Sequence, residues 1–505
     1  MDKSQDSESD SLDRLSELPD SLILSILSLL SLTRDVVRTT VLSKRWKDLW
    51  TTVPCLYFRD PPTLDEHRNF ISAALAQWKG AKIQKFDIVY QLDSYSDSDV
   101  DSTEYFSETR RDFDLWLLLA IEKQVEELII DMEFYEDIFD MKFRESVFYP
   151  YYNKDCEYCA PQRLYSCSSI TKLSLSTCKL IIEGNVQWNQ LKSLTINGIE
   201  SWSEDAMNRL VCGSPQLEEL NLIFGKILQN LNIRSSSLKN LKISDDDGVL
   251  FSTDIKGDLT IWAPNLASLE ISGYVYGACL LDVPSLTNAH LCCRILEDEM
   301  KCGDFTSHEK LDQVFPRVCH VEKVTLSESC IKFLLHMKEN DMLVLFSNAK
   351  FLRIYAGEVN NYCPKKDPIL KMSEMLAVLE MFPNLKKLIT EHEEGGMTLD
   401  FEEPKASFPS SCLPQLKTAD ITWCIHDPSI IPTVEILLKN AHVLEKMVLK
   451  LEIHEVDHRK FFLAKEKVLR MPRSSHAAQV IVIVGFTPSV SAFSIQLSFF
   501  GRPTF

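Results

Sequence analysis

Glycine is scarce in this chain, at 15 of 505 residues. None of it forms a phosphate-cradling loop, a dinucleotide fingerprint or a nucleophile elbow, so nucleotide enzymes and hydrolases of those builds have no support. Long apolar runs are missing too: the longest nearly uncharged apolar runs reach about ten residues, against about 18 for a bilayer span. No membrane-crossing helix is expected. The opening segment, Met1 to Asp10, is acidic and serine-rich with no apolar core of the secretory-leader type. Asn-x-Ser/Thr does not occur, which weighs against secretion. Positive charge is the minority sign, 54 Lys and Arg against 73 Asp and Glu, for a net charge of −19. Affinity for nucleic acid comes mainly from Lys and Arg neutralising phosphates, and no long basic run offsets the deficit, so nucleic acid is not an expected partner. The 15 cysteines are scattered and form no disulfide scaffold. On this balance the chain is expected in the cytoplasm and/or nucleus.

Candidate chemistry is equally thin. Cys156-x-x-Cys159, with Cys167 and Cys178 following, is half of a zinc pattern, but the second pair lacks the tight spacing that four ligands need. His290, Cys292 and Cys293 lie on one expected strand, where alternation points Cys292 and Cys293 to opposite faces. His392-Glu393-Glu394 lacks a second histidine at helical spacing. No catalytic residue, metal or cofactor is expected.

What is present is ordinary globular composition, 45% hydrophobic and 25% charged, in a chain long enough for two to four domains. Near the start, Pro19, Asp20 and Ser21 open a helix, because proline suits a first position and an early carboxylate favours the positive dipole end. Leu22, Ile23, Ile26, Leu27 and Leu30 follow at helical spacing. Thr33 is the expected cap of a second helix and Ser43 that of a third, in which Trp46, Leu49 and Trp50 share a face. Three short helices bury little area alone. Their apolar side chains either begin a larger core or meet a partner protein.

The string from Asp13 to Asp20 (DRLSELPD), then Ile26 to Leu30, Asp35 to Thr39, Val41 to Trp46 and Leu49-Trp50, resembles a plant-type F-box in order and content. One departure is visible: the segment Leu30-Ser31-Leu32-Thr33 lacks the proline often found there and is one residue longer. The resemblance implies docking on a Skp-type adaptor and, through it, on a cullin scaffold with its ubiquitin-charging partners. By position match, the adaptor-facing candidates are Leu18, Pro19, Leu22, Ile23, Ile26, Leu27, Val36, Val37, Leu42, Trp46 and Trp50. Some of these must instead hold the helices together.

A second signal is an apolar-x-x-apolar-x-apolar core that keeps returning. Clear copies are Ile170-Leu173-Leu175, Leu191-Leu194-Ile196, Leu217-Leu220-Leu222, Leu238-Leu241-Ile243 and Leu266-Leu269-Ile271. Weaker ones run from Leu286-Ala289-Leu291 through Val321-Val324-Leu326 and Ala349-Leu352-Ile354 to Leu385-Leu388-Thr390. Degenerate copies at Ile83-Phe86-Ile88 and Val125-Leu128-Ile130 precede them. A strand of this kind cannot bury its own face, so stacked copies predict a parallel sheet along a solenoid. Clear copies are about 20 to 28 residues apart, close to the leucine-rich period. Pro215, Pro264, Pro284 and Pro383 each stand two residues before a core and keep a helix from running into the strand. The array resembles the irregular leucine-rich repeats of plant F-box proteins. Between the inward leucines, Ser193, Thr195, Glu219, Asn221, Asn240, Lys242, Ser268 and Glu270 are candidates to face a target protein.

Leu413 to Val484 resembles the FBD domain, with a repeat-like strand start from Leu413 reaching Ile421, a helix expected at Pro432 to Asn440, a strand led into by Asn440 to Met447 and another at Val480 to Val484. A capping role is expected on physical grounds, since a solenoid end needs cover. The expected fold class is α/β: a three-helix F-box, an irregular leucine-rich repeat solenoid and a C-terminal FBD α+β cap. The boundaries read as a disordered acidic tail over 1–12, F-box 13–58, repeats 80–412 (clearest over 170–390), FBD 413–484 and a tail over 485–505. Ser94 to Glu108, dense in Asp, Ser and Glu, is expected as a solvated loop. Two functions fit: a non-catalytic substrate-recognition subunit of a ubiquitin ligase complex, or a leucine-rich scaffold that does not promote ubiquitin transfer.

Overall fold

A computed structural model describes residues 15, 17–59, 64–93, 102–135, 158–176, 178–199, 204–224, 230–245, 258–274, 279–294, 312–356, 372–392, 413–424, 430–453 and 458–486. The expected tail over 1–12, Cys156, Glu393, Glu394 and the tail beyond Phe486 lie outside these residues. The chain divides into two compact units, Met1–Ile199 with Arg209–Leu217, and Glu200–Asn208 with Glu218–Phe505.

The first unit opens with helices α1 (Asp20–Ser28), α2 (Thr33–Arg38) and α3 (Lys44–Leu49). Strands Cys55–Phe58, Lys85–Asp93, Glu127–Tyr135, Lys172–Ser176 and Ser193–Ile199 then pair in chain order, all parallel. The recurring core is what lines them up. Leu56, Phe86, Leu128, Leu173 and Leu194 are successive register partners, and so are Phe58, Ile88, Ile130, Leu175 and Ile196. All ten side chains are buried. Each contributes about 1.5–3 kcal/mol relative to exposure, and a slip by one residue would turn the whole set to solvent.

The second unit repeats the arrangement. Its parallel strands are Glu219–Phe224, Asn240–Asp245, Ser268–Tyr274, Asn288–Arg294, Lys323–Ser327, Phe351–Ala356, Lys387–His392, Thr418–Cys424, Lys446–Ile453 and Gln479–Phe486. Each pairs with the next. Thr390, at a position apolar in most copies, is buried, and its Oγ1 finds no hydrogen-bond partner.

The prolines do more than stop a helix. Leu217 N donates to Ser214 O at 3.0 Å, Leu266 N to Ala263 O at 3.1 Å, Leu286 N to Val283 O at 3.1 Å and Leu385 N to Phe382 O at 3.2 Å. Each is an i to i+3 turn with proline at its second position, where a fixed φ suits it. Ala349 N to Phe346 O at 3.1 Å closes the same turn without proline, so the turn belongs to the repeat and proline only stiffens it.

Several features were not legible in residue order. Leu231–Arg234, Leu259–Trp262 and Cys279–Asp282 form a separate 3-stranded parallel sheet. Longer gaps hold helices such as Glu328–Glu339 and Met372–Leu379. The first helix is capped by Ser327, whose Oγ accepts from Cys330 N at 3.4 Å. The segment from 413 to 484 adds strands Thr418–Cys424, Lys446–Ile453 and Gln479–Phe486 to the same sheet as the preceding repeats, with helices Ile430–Asn440 and His458–Leu469 between them. The loop expected over Ser94–Glu108 is overturned in its second half: a helix runs from Ser102 to Glu122. Phe113, Trp116, Leu117 and Ala120 are buried at helical spacing, and this anchored half extends the helix into its polar start.

His67, on the helix Leu64–Gln77, is buried and donates from Nε2 to Val89 O at 3.2 Å. Burial lowers its pKa below 6.5; the Val89 bond opposes this and the Arg34 charge adds to it. The unfolded chain binds this proton more readily than the folded one. The contribution to stability is therefore intact above pH 6.5 and is lost as pH falls from there through the lower folded value. Urea midpoints measured at about pH 7.5 and about pH 5.5 are expected to show this loss, and His67→Phe to reduce the difference.

Candidate functional site

Helix α1 carries two apolar stripes. Ile23 and Leu27 face inward and are fully buried, with Trp46, Trp50 and Val36 also in the core. Leu22, Ile26 and Leu29, at the spacing i, i+4, i+7, form a second stripe on the other side, and all three are exposed. A short helix packed on one side only cannot bury both. Past α2, Val41 and Leu42 also stand in solvent; Leu29 is 84% and Val41 86% exposed.

This sorts the adaptor-facing candidates. Leu22, Ile26, Leu42 and Pro19 are exposed, and Leu18 and Val37 are half-buried. Ile23, Leu27, Val36, Trp46 and Trp50 are withdrawn into the chain, because the three helices need them as their own core. Leu29 and Val41 were missed. The signal for Leu29 was available, as it completes the heptad stripe begun by Leu22 and Ile26.

The helical cluster is bolted to the first strands of its own unit. Thr33 is not the cap of α2: Leu32 holds that position, and the buried Thr33 Oγ1 instead accepts from Tyr57 N at 2.7 Å. Its hydroxyl ties the helices to the first strand. Ser43 does take the cap position of α3. Trp78 Nε1 donates to Val53 O at 2.9 Å, Lys79 N to Thr51 O at 2.7 Å, and Arg34 lies 5.0 Å from the centre of the Phe70 ring. Arg45 Nε donates to Asp20 Oδ1 at 2.8 Å and joins α3 to α1. That pair is largely exposed, so it is worth at most about 1 kcal/mol.

The sheet candidates fall into rows. Asn240 is the register partner of Glu219 and Ser268, and Lys242 that of Asn221 and Glu270. Ser193 and Thr195 stand beside Lys172 and Ser174 on the last strand of the first unit. Lys242 Nζ is 2.8 Å from Glu270 Oε1, and Glu270 Oε2 is 3.6 Å from His290 Nδ1. His290 stacks on Tyr355 with ring centres 5.9 Å apart, and Arg353 lies 4.7 Å from the centre of the Tyr355 ring. Arg353 Nε donates to Glu391 at 3.0 Å. His290, Arg353, Tyr355 and Glu391 were not among the candidates; His290 and Arg353 occupy the same positions in the weaker copies, whereas Tyr355 and Glu391 stand one residue past the core. Burial lowers the His290 pKa, while Glu270 opposes the shift and Lys242 and Arg353 add to it. His290 Nε2 also lies 2.9 Å from Cys292 Sγ. Among the described residues, no group of three or more His, Cys, Asp or Glu is placed to hold a metal ion.

Comparison with known proteins decides what the helices and repeats are. Residues 15–58 match the family profile described as "F-box domain", and residues 113–277 match "FBD-associated F-box protein At5g56370, LRR repeats". The chain joins an F-box to F-box-associated leucine-rich repeats. It is 26% identical over 484 residues to "F-box/FBD/LRR-repeat protein At3g52680" of Arabidopsis thaliana, covering 93% of each chain. It is 26% identical over 504 residues to "F-box/FBD/LRR-repeat protein At2g26030" of the same plant, covering 93% of this chain and 99% of the relative. The F-box match ends at Phe58, the last residue of the strand Cys55–Phe58, which pairs with Lys85–Asp93. The F-box therefore supplies the first strand of the repeat sheet. Its sequence signal was Val53-Leu56-Phe58, which has the spacing of the repeat core.

Inner and outer stripes should respond differently to substitution. Leu29→Ser and Val41→Ser are expected to change stability by less than about 0.5 kcal/mol. Leu27→Ala, which leaves a cavity, should cost about 2–5 kcal/mol. Urea unfolding followed by tryptophan fluorescence checks both, since Trp46 and Trp50 lie in this core.

Proposed function

We propose that the chain is the substrate-recognition subunit of an SCF-type E3 ubiquitin ligase. The F-box docks on a Skp-type adaptor, the adaptor joins it to a cullin scaffold, and the repeats hold a target protein for ubiquitination. The observation that carries this reading is the outer stripe Leu22, Ile26 and Leu29, exposed on an F-box whose inner stripe is already satisfied. Exposed aliphatic surface of this kind marks interaction sites, and a few large anchors dominate such interfaces. The bonds from Thr33, Trp78 and Lys79 support the transmission of position: a target on neighbouring repeats is held at a fixed distance from the adaptor.

The subunit has no catalytic role in this reading. It works by raising the target's effective concentration near the ubiquitin-charged partner. It acts in the cytoplasm and/or nucleus. The segment 413–484 serves as an FBD cap, shielding the last strands of the array. Among the described residues, no helix is long and apolar enough to cross a membrane.

The test is capture of a purified plant Skp-type adaptor by the full chain. Leu22→Asp and Leu29→Asp are expected to weaken capture at least about tenfold while circular dichroism is unchanged, because each places a charge in an apolar contact. Equal capture by wild type and both variants would overturn the docking assignment. A reconstituted ligase assay separates this reading from a leucine-rich scaffold without ubiquitin transfer. Only the ligase subunit supports target modification that depends on Leu22 and Leu29.

A further inference from the structure

Just before each strand of the second unit except the last described one stands a residue whose carbonyl accepts from the next repeat. Lys350 N donates to Glu322 O at 2.8 Å, Lys386 N to Lys350 O at 2.9 Å, Lys417 N to Lys386 O at 2.9 Å and Glu445 N to Lys417 O at 2.8 Å. These bonds hold Glu322, Lys350, Lys386, Lys417 and Glu445 in one line, a strand spacing of about 4.8 Å apart.

Charge along the line is unbalanced. Lys350 leans to Glu322 at 2.8 Å, and Lys417 leans the other way to Glu445 at 2.7 Å. Lys386, between them, makes no ion pair among the described residues. On the inner side, Lys387 is engaged by Asp420 at 3.7 Å, whereas Lys323 has no such partner among the described residues. Lys350, Lys323 and Lys386 all act on the Glu322 carboxylate and hold it below the usual carboxylate range, the Lys350 contact first. One carboxylate among three ammonium groups leaves surplus positive charge, on a chain whose net charge is −19.

This line borders a groove of about 560 Å³, a volume within the range of ligand sites. Glu322, Lys350 and Lys386 line it, together with Asn348, Asn384 and Gln415 from the strand-entry turns. The three amides are locked in place. Asn348 Nδ2 donates to His320 O at 3.1 Å, Asn384 Nδ2 to Ser347 O at 2.8 Å and Gln415 Nε2 to Asn384 Oδ1 at 3.1 Å. Each amide nitrogen carries a second N–H, so fixed hydrogen-bond donors stand beside uncompensated ammonium groups.

We infer that this strand-entry groove is a binding site for an acidic peptide segment of a partner protein, with Lys386 taking its carboxylates, Asn348, Asn384 and Gln415 its backbone, and Lys323, outside the lining, adding only to the positive field. The inference deepens the target-capture reading and rests on it. A polynucleotide fits less well: the groove contains a carboxylate of its own, and the field of the whole chain opposes a long polyanion.

The full chain is titrated into a fluorescein-labelled decapeptide of alternating Glu and Gly, with Lys/Gly and Ser/Gly decapeptides and a ten-nucleotide oligo-dT as alternatives. The Glu peptide is expected to bind, with affinity falling as salt rises. Lys386→Glu should weaken it at least about tenfold and Lys323→Glu several-fold, because each replaces attraction with repulsion. Glu322→Gln should strengthen binding, and Lys467→Glu, on the distant helix His458–Leu469, should leave it unchanged. Absence of binding, equal loss in Lys467→Glu, or tighter binding of oligo-dT than of the Glu peptide would overturn the inference. Adaptor capture is measured on the same samples. A chain that holds the adaptor but ignores the peptide overturns the groove alone. Peptide binding without adaptor capture overturns the ligase reading and leaves the groove standing.

Discussion

Two apolar side chains per strand, one residue apart, set the terms for the rest of this protein. Neither can be buried by its own repeat, so each repeat needs its neighbour. Parallel register results, because only that alignment stacks Leu241 on Leu220 and Ile243 on Leu222 while keeping the residue between them outside. The connecting segments are then free to vary. They contain short strands in some gaps and helices in others, and many of the repeats are re-entered through the same i to i+3 turn.

The F-box obeys the same rule at its last strand and departs from it in its helices. Val53, Leu56 and Phe58 are buried as any repeat core would be, and Thr33 locks α2 onto that strand. Helix α1, by contrast, keeps a second apolar face that stands open to solvent. Burial of Ile23 and Leu27 makes the helix, and exposure of Leu22, Ile26 and Leu29 makes it available. The positioning role proposed for the chain requires a firm link between such an exposed face and the first repeats, since effective concentration depends on geometry more than on reach.

Charge is organised on the outside of this frame. The sheet face pairs its charges internally, Lys242 with Glu270 and Arg353 with Glu391. Among the described residues, the strand-entry edge leaves Lys386 without a paired counter-ion, because its neighbours on both sides are lysines that engage Glu322 and Glu445 themselves.

The sequence alone determined the parts that depend on local spacing: the F-box, the repeat core and its parallel stacking. These were legible because a period of two or of 3.6 is written directly into residue order. Which apolar residues of the F-box are core and which are surface was not, since Ile23 and Leu22 are equally apolar and differ only in what lies opposite them. The same holds for Thr33, whose polar side chain suits a cap equally well until the strand arrives beside it. Only tertiary structure decided these cases, and it alone showed that Lys386 makes no ion pair among the described residues, because ion pairing depends on side chains some thirty residues apart meeting across adjacent strands.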